Sequence, residues 1–335
     1  ASQYFSPIIL RNIIESPQVY GATVDYLHWR TYGIFFSFLC VMFRAYYVGI
    51  TQTKILTVNS IVMLLSNVAL NYCLIFGKGG FPAAGIASSV SEAVSLLFFI
   101  IYTSITADKR KYGFRRAFTL RPHLLKGMLS ISGWTMVQSF ISVSIWFIFF
   151  LAIEHLGERP LAVTNIVRNI SALLIMVISA FATTAGALIS NQIGAGEQRC
   201  LFKTCGMTLK LTYAILIPLL IILCLFPEPV LRAFTDSPPL IAASVNSVYV
   251  MASSTLIMAP SFILFNAVSG TGNTKAGFIM EMISLAVYTA VIYYGIIGLK
   301  PDVALCWFSE HVYGVTLIFL AWWYLKSGKW RGKKV

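Results

Sequence analysis

A stretch near the beginning of the chain returns near its end without a gap, 221 positions later. Leu10-Arg11 and Ser16-Pro17 reappear as Leu231-Arg232 and Ser237-Pro238, with Glu15 over Asp236. The same offset lays Gly49, Thr53 and Lys54 on Gly270, Thr274 and Lys275, then Tyr72 and Gly77 on Tyr293 and Gly298. Aliphatic coincidences carry no weight in a chain that is 58% apolar, but an Arg, a Ser-Pro and a Gly-x-x-x-Thr-Lys turn do. The unit is too long for a solenoid repeat and suits a duplicated membrane half. Residues 122–221 find no counterpart in the first half, and the chain starts on Ala. The sequence therefore reads as a fragment that lacks, at its N-terminus, roughly two spans and most of a third of a two-half transporter.

With only 11% charged residues, an ordinary soluble domain is excluded. Apolar runs of about 20 residues can cross a hydrocarbon core about 30 Å thick. Nine such runs are expected, at 24–48, 54–77, 84–106, 125–153, 161–189, 204–226, 240–268, 276–298 and 302–325, with residues 1–14 as the stub of a tenth. They are continuous rather than alternating, which predicts helices and not barrel strands. The fold class is an all-α membrane protein.

Lys and Arg set the orientation. Of 25, assignment to the nearer side puts 18 on one face, including seven between Lys109 and Lys126 and five from Lys326 to Lys334; seven fall on the other. The rich face is predicted to be cytoplasmic, with the C-terminus inside. Repeat partners then share an orientation, so the halves are parallel, related by an axis along the membrane normal. The net charge of +13 belongs to these loops and the tail. No aromatic-basic reading surface accompanies it, so nucleic acid is not expected as a partner. Membrane lipids are, with Lys109-Arg110-Lys111 and Arg115-Arg116 against anionic headgroups. The six cysteines show no Cys-x-x-Cys pair and read as apolar filler. Histidines 28, 123, 155 and 311 have no metal-ligand spacing, and no Gly-rich phosphate loop is present.

The longest polar stretch, Thr106–Lys126, separates an incomplete first half from a complete second. At a helix end lies Ala182-Thr-Thr-Ala-Gly-Ala-Leu-Ile-Ser-Asn-Gln192-Ile-Gly194-Ala-Gly196-Glu197. Its small residues allow close helix approach, and Gly194 and Gly196 permit a tight exit. Asn67 and Asn71 are four apart, on one face of a single helix. Glu92 and Glu281 are carboxylates inside spans, where charge is costly. Each could bind a cation, shuttle a proton, pair with Arg168 or Lys210, or sit near a lipid boundary. Trp322, Trp323 and Tyr324 fit an interfacial belt.

The Gln192-Ile-Gly-Ala-Gly196 turn, the Gly270-Thr-Gly-Asn-Thr-Lys275 turn, its echo Gly49-Ile-Thr-Gln-Thr-Lys54, and Asn71-Tyr-Cys-Leu-Ile-Phe-Gly77 running into Gly80-Phe-Pro82 resemble those of the MATE (multidrug and toxic compound extrusion) transporters. These motifs span the chain in the family's order. The resemblance implies twelve helices in two six-helix lobes. Residues 1–112 would hold the end of helix three and helices four to six of the N-lobe. A cytoplasmic linker would occupy 113–124, and residues 125–335 would be the C-lobe with its basic tail. It further implies a monomer in a bacterial inner membrane, no cofactor and no resident metal, and cation-coupled antiport of amphipathic or cationic drugs by alternating access. Asn67 and Asn71 would line the N-lobe cavity or simply bond a neighbouring helix. Gln138, Asn165 and Asn169 would face the central cleft. Sodium-coupled members carry carboxylates deep in helices seven and ten; here Gly133-Trp-Thr-Met-Val-Gln138 and Ser254-Thr-Leu-Ile-Met-Ala-Pro260 carry none. That favours H⁺ over Na⁺ as the coupling ion, although the acidic residue of helix one lies outside this chain. Two rivals remain: a lipid-linked oligosaccharide flippase, which needs a cationic cleft, and a membrane-embedded enzyme, which needs a His/Asp/Glu cluster.

Overall fold

Several helices begin and end in the register of the repeat. In a computed structural model that describes residues 7, 10, 11, 17–75, 83–106, 122–328, 330 and 331, helix α1 runs Pro17–Gly49 and α2 Lys54–Leu74. After these come α3 Ala83–Thr106, α4 Pro122–Glu154, α5 Glu158–Gly194, α6 Leu201–Leu225 and the short α7 Pro227–Arg232. The series closes with α8 Pro238–Gly270, α9 Thr274–Val291, α10 Val303–Cys306 and α11 Ser309–Ser327. Helices α1 and α8 are both 33 residues long, from a proline to a glycine, with both ends in the 221-residue register. Helix α3 ends at Thr106 and its partner α11 at Ser327, again in register.

The turn that joins each first pair of repeat helices keeps one backbone device. Gly272 takes a left-handed φ of 79°, and the equivalent Thr51 takes 61°. Only glycine does this freely; a β-branched residue there is strained. Thr51→Gly is therefore expected to raise stability, by roughly 0.5–1 kcal/mol after the extra unfolded-state entropy of glycine. A lower melting temperature in detergent than the parent's would refute it.

Among the described residues, nine helical segments are long and apolar enough to cross a membrane, and they overlap each predicted span. Boundaries shift slightly: α4 starts at Pro122, inside the predicted linker, because proline is favoured in a helix's first turn. The predicted stub at residues 1–14 lies outside the described residues, except for the helical positions Pro7, Leu10 and Arg11. The linker and the Gly77–Pro82 turn fall outside them in large part.

The chain forms two compact units, Ala1–Leu120 and Arg121–Val335. The first is small. Its core lies between α1, α2 and α3, with Phe43 and Phe99 stacked at 5.5 Å and Tyr47 hydrogen-bonded to Thr103 at 2.8 Å. In the second unit, α5 and α8 share the most extensive helix contact. Their backbones touch at Gly186 and Gly270: a Cβ on Gly270 would lie 2.5 Å from the Gly186 carbonyl oxygen. Small residues let helices in lipid approach this closely, and Ala182 and Ala185 line the same buried face. Pro260 inside α8 cannot donate to the Leu256 carbonyl one turn back; the Tyr213 hydroxyl of α6 supplies that bond instead at 2.8 Å.

The other motif residues hold helix ends. Gln192 accepts a hydrogen bond from Thr204, tying the end of α5 to the start of α6. Gly196 takes a φ of 84° and makes the turn. Gly194 differs from expectation: it is the last helical residue with open space around it, so the exit needs one glycine and not two. Asn273 caps α9 by accepting from the Ala276 amide. Lys275 extends over the Trp134 ring at 5.7 Å. Lys54 opens α2 and is exposed, as is Gly49 at the end of α1. Trp322 and Trp323 are exposed near the C-terminal end of α11, with Lys326 over Trp322 at 4.6 Å. All six cysteines are unpaired.

Candidate functional site

In the first unit, helix α3 carries a run of serines, Ser88, Ser89, Ser91 and Ser95, with Glu92 among them. Helical spacing spreads these over two faces. One face meets α2: Asn59 and Ser95 exchange hydrogen bonds of 2.8 and 3.1 Å, and Asn67 donates to Ser91 at 3.2 Å. Asn71 donates to Asn67 at 2.8 Å, so the pair predicted from its spacing does share a face and bonds between and along helices, while Asn71 Oδ1 stays buried without a hydrogen bond. The other face meets α1: Ser89 donates to the Trp29 carbonyl at 2.8 Å, and Arg30 reaches Glu92 Oε1 at 2.8 Å. Glu92 does not pair with Arg168 or Lys210, as the sequence left open. Its partner is on the adjacent helix of its own unit, and this is the one salt bridge among the described residues. Glu92 is buried, and Arg30 Nη1 and Glu92 Oε2 each remain buried without a hydrogen bond.

The second unit holds a cavity of about 260 Å³. Ser142 and Trp146 of α4, Phe262 of α8, and Glu281, Tyr288, Glu310 and Tyr313 of α9 and α11 are among its walls. Glu281 also lacks the partners suggested for it. It is buried and accepts hydrogen bonds from hydroxyls: Ser142 at 2.9 Å, and Tyr313 at 2.9 and 3.1 Å to its two oxygens. On the same cavity wall, Tyr288 donates to Glu310 at 2.8 Å. The two tyrosine rings meet edge to face at 5.8 Å, joining the two carboxylate–tyrosine pairs into one polar strip. No Lys, Arg or His is among the lining residues.

Sequence reading named Glu281 and missed Glu310, Tyr288, Tyr313 and Ser142. The repeat held part of the signal. Tyr288 and Tyr313 stand at the offset positions of Asn67 and Glu92, so the polar positions of the first unit are rebuilt with phenols in the second. Gln138 lies one turn before Ser142, and its carbonyl accepts the Ser142 hydroxyl at 3.0 Å; its side chain is not among those lining the cavity. Asn165 is half-buried and Asn169 exposed on α5, and neither lines this cavity. Arg168 lies between them in number, with its guanidinium over the Phe150 ring at 5.3 Å.

The MatE family model matches residues 2–73 and 135–294, one stretch in each unit and together more than half of the chain. A probable multidrug resistance protein NorM of Pasteurella multocida is 26% identical over 200 residues, covering 58% of this chain and 43% of that protein. The uncharacterized transporter YisQ of Bacillus subtilis is 25% identical over 267 residues, 75% of this chain and 56% of its own length. The chain spans about half the length of the curated relatives it matches. Among solved structures, a multidrug resistance MATE family transporter in an outward-facing conformation superposes with a TM-score of 0.87 at 15% identity, covering 98% of this chain and 74% of the other. The Vibrio cholerae MATE transporter VcmN in its bent form gives 0.79 at 12% identity, over 97% and 76%. These two likenesses show the fold, while the family match rests on sequence in both units. The duplicated helices, the shared turns and that match place the chain in the MatE family, the multidrug and toxic compound extrusion transporters; it is not an enzyme.

Proposed function

We propose that this chain works in multidrug efflux, exporting amphipathic or cationic organic molecules in exchange for an inward-moving cation, with H⁺ rather than Na⁺ as that cation. One observation carries the reading: Glu281, a buried carboxylate on a membrane-spanning helix, opens on a cavity of aromatic and aliphatic side chains that, among the described residues, no basic side chain lines. A carboxylate in such a place is costly in lipid and is retained where a positive charge passes. Its two oxygens already accept from two hydroxyls, those of Ser142 and Tyr313, a setting suited to proton exchange. The protein would be a monomer of the bacterial inner membrane, its C-terminus cytoplasmic, its lobes alternating in access. A flippase for lipid-linked oligosaccharide would need cations for a pyrophosphate, and the cavity-lining residues offer none.

The test is ethidium transport by vesicles from cells expressing the protein, under a proton gradient, a sodium gradient or neither. Transport should follow the proton gradient. Glu281→Gln should slow it at least about tenfold, the effect of about 1.4 kcal/mol. Gradient-independent accumulation, or a fully active Glu281→Gln, would end this reading.

A further inference from the structure

Glu310 has no part in any reading of the sequence, yet it shares the cavity with Glu281. It is 8% exposed, and its one hydrogen bond among the described residues, from Tyr288, is to Oε1. Glu310 also lines the cavity. The two acids come from neighbouring helices, α9 and α11, and each is held by a tyrosine of the other helix: Tyr313 on Glu281, Tyr288 on Glu310. This crossed arrangement fixes both carboxylates in the lining of one space. With no basic residue among the lining residues, the pair is neutralised either by protons or by a positively charged occupant. Aromatic walls add their own preference for a cation, because ring faces attract positive charge. At about 260 Å³, the space falls below the roughly 300–1,000 Å³ that encloses drug-sized molecules. One ring with an ammonium head fits within it, and a larger cation can extend through its open side.

We infer that Glu310 is a second charge-bearing ligand of this cavity, and that Glu281 and Glu310 together hold a single small aromatic monocation between them. The inference rests on the reading of the second unit's cavity as the place where cations are handled, and adds to it a second acid. In this arrangement Tyr288 and Tyr313 hold the acids in place when the cavity is empty, and α9 and α11 are drawn together by a shared ligand when it is full.

The probe is benzyltrimethylammonium, a permanent monocation, compared with neopentylbenzene, its neutral isostere, in binding titrations on the purified chain in detergent. Glu281→Gln and Glu310→Gln should each weaken the ammonium at least about tenfold, leaving the neutral probe unchanged. Glu310→Asp, which keeps the charge, should restore binding to within about threefold of the parent, a factor below one kcal/mol. A merely structural Glu310 would lower affinity for both probes alike or shift only the melting temperature, and either result overturns the inference. Should Glu281→Gln lose the ammonium while Glu310→Gln keeps it, Glu310 is no ligand and the transport reading stands. Failure of the parent to bind the ammonium overturns both, and displacement by equimolar sodium chloride overturns the organic character of the occupant.

Discussion

Replacing Gly270 with leucine will prevent the protein from accumulating in a folded form, and replacement with alanine will lower its stability by about 2–3 kcal/mol. The reason is what a side chain would meet. A Cβ at this position comes within 2.5 Å of the Gly186 carbonyl oxygen and 3.2 Å of the Gly186 Cα and carbonyl carbon. These are backbone atoms of α5, and they cannot rotate away as a side chain would. Accommodating even one methyl group requires α5 and α8 to separate along their whole buried seam, in which Ala182, Ala185 and Ala267 are fully enclosed. In lipid, close packing supplies much of what holds helices together, so the loss is not offset elsewhere. A matched control sits at Gly194, which is helical and has nothing within 4 Å of an added Cβ. Gly194→Ala should be neutral or stabilising by up to about 1 kcal/mol. Thermal unfolding in detergent, read by the fraction of monodisperse protein, compares all three variants. Equal melting temperatures for Gly270→Ala and Gly194→Ala would show that the seam can relax.

Arg30→Met should destabilise the first unit by about 2 kcal/mol, and adding Glu92→Gln should recover most of the loss. The single variant strands a buried carboxylate; the double variant leaves a neutral amide among serines that can bond it. A fully enclosed pair broken on one side costs about 3–5 kcal/mol. Arg30 keeps 32% of its side-chain surface exposed, which lowers the figure here. A double variant as unstable as Arg30→Met alone would mean that the methylene stem of Arg30, rather than its charge, was the stabilising part.

The contrast between these sites shows what a sequence can disclose. Helix register was legible because it is local. Pro17 and Pro238 start α1 and α8, Gly49 and Gly270 end them, and the nearby turns carry the same residues at the same offset. Proline, glycine and continuous apolar runs act on the backbone within a turn or two of where they stand. The partners of buried polar groups were not legible. Glu92 finds Arg30 from 62 positions away, and Ser142 reaches Glu281 across 139. Neither separation follows a helical period, so no spacing rule could single them out. Glu310 stayed hidden for a related reason. It lies in the first turn of α11, close after the short α10, where an acid ordinarily reads as a solvated helix start.

By itself, then, the sequence determined the helices, their order, their duplication and the family, because each of these depends on hydropathy and backbone preference along the chain. Only the tertiary structure decided that Asn67 and Asn71 bond within the first unit, that Glu92 is claimed by Arg30, and that Glu281 opens on a cavity with a second acid. The physical reason is the cost of burying charge and hydrogen-bonding groups. That cost drives such a group in a membrane span toward a partner or a cavity. Which of the two it finds is fixed by the helices that pack beside it.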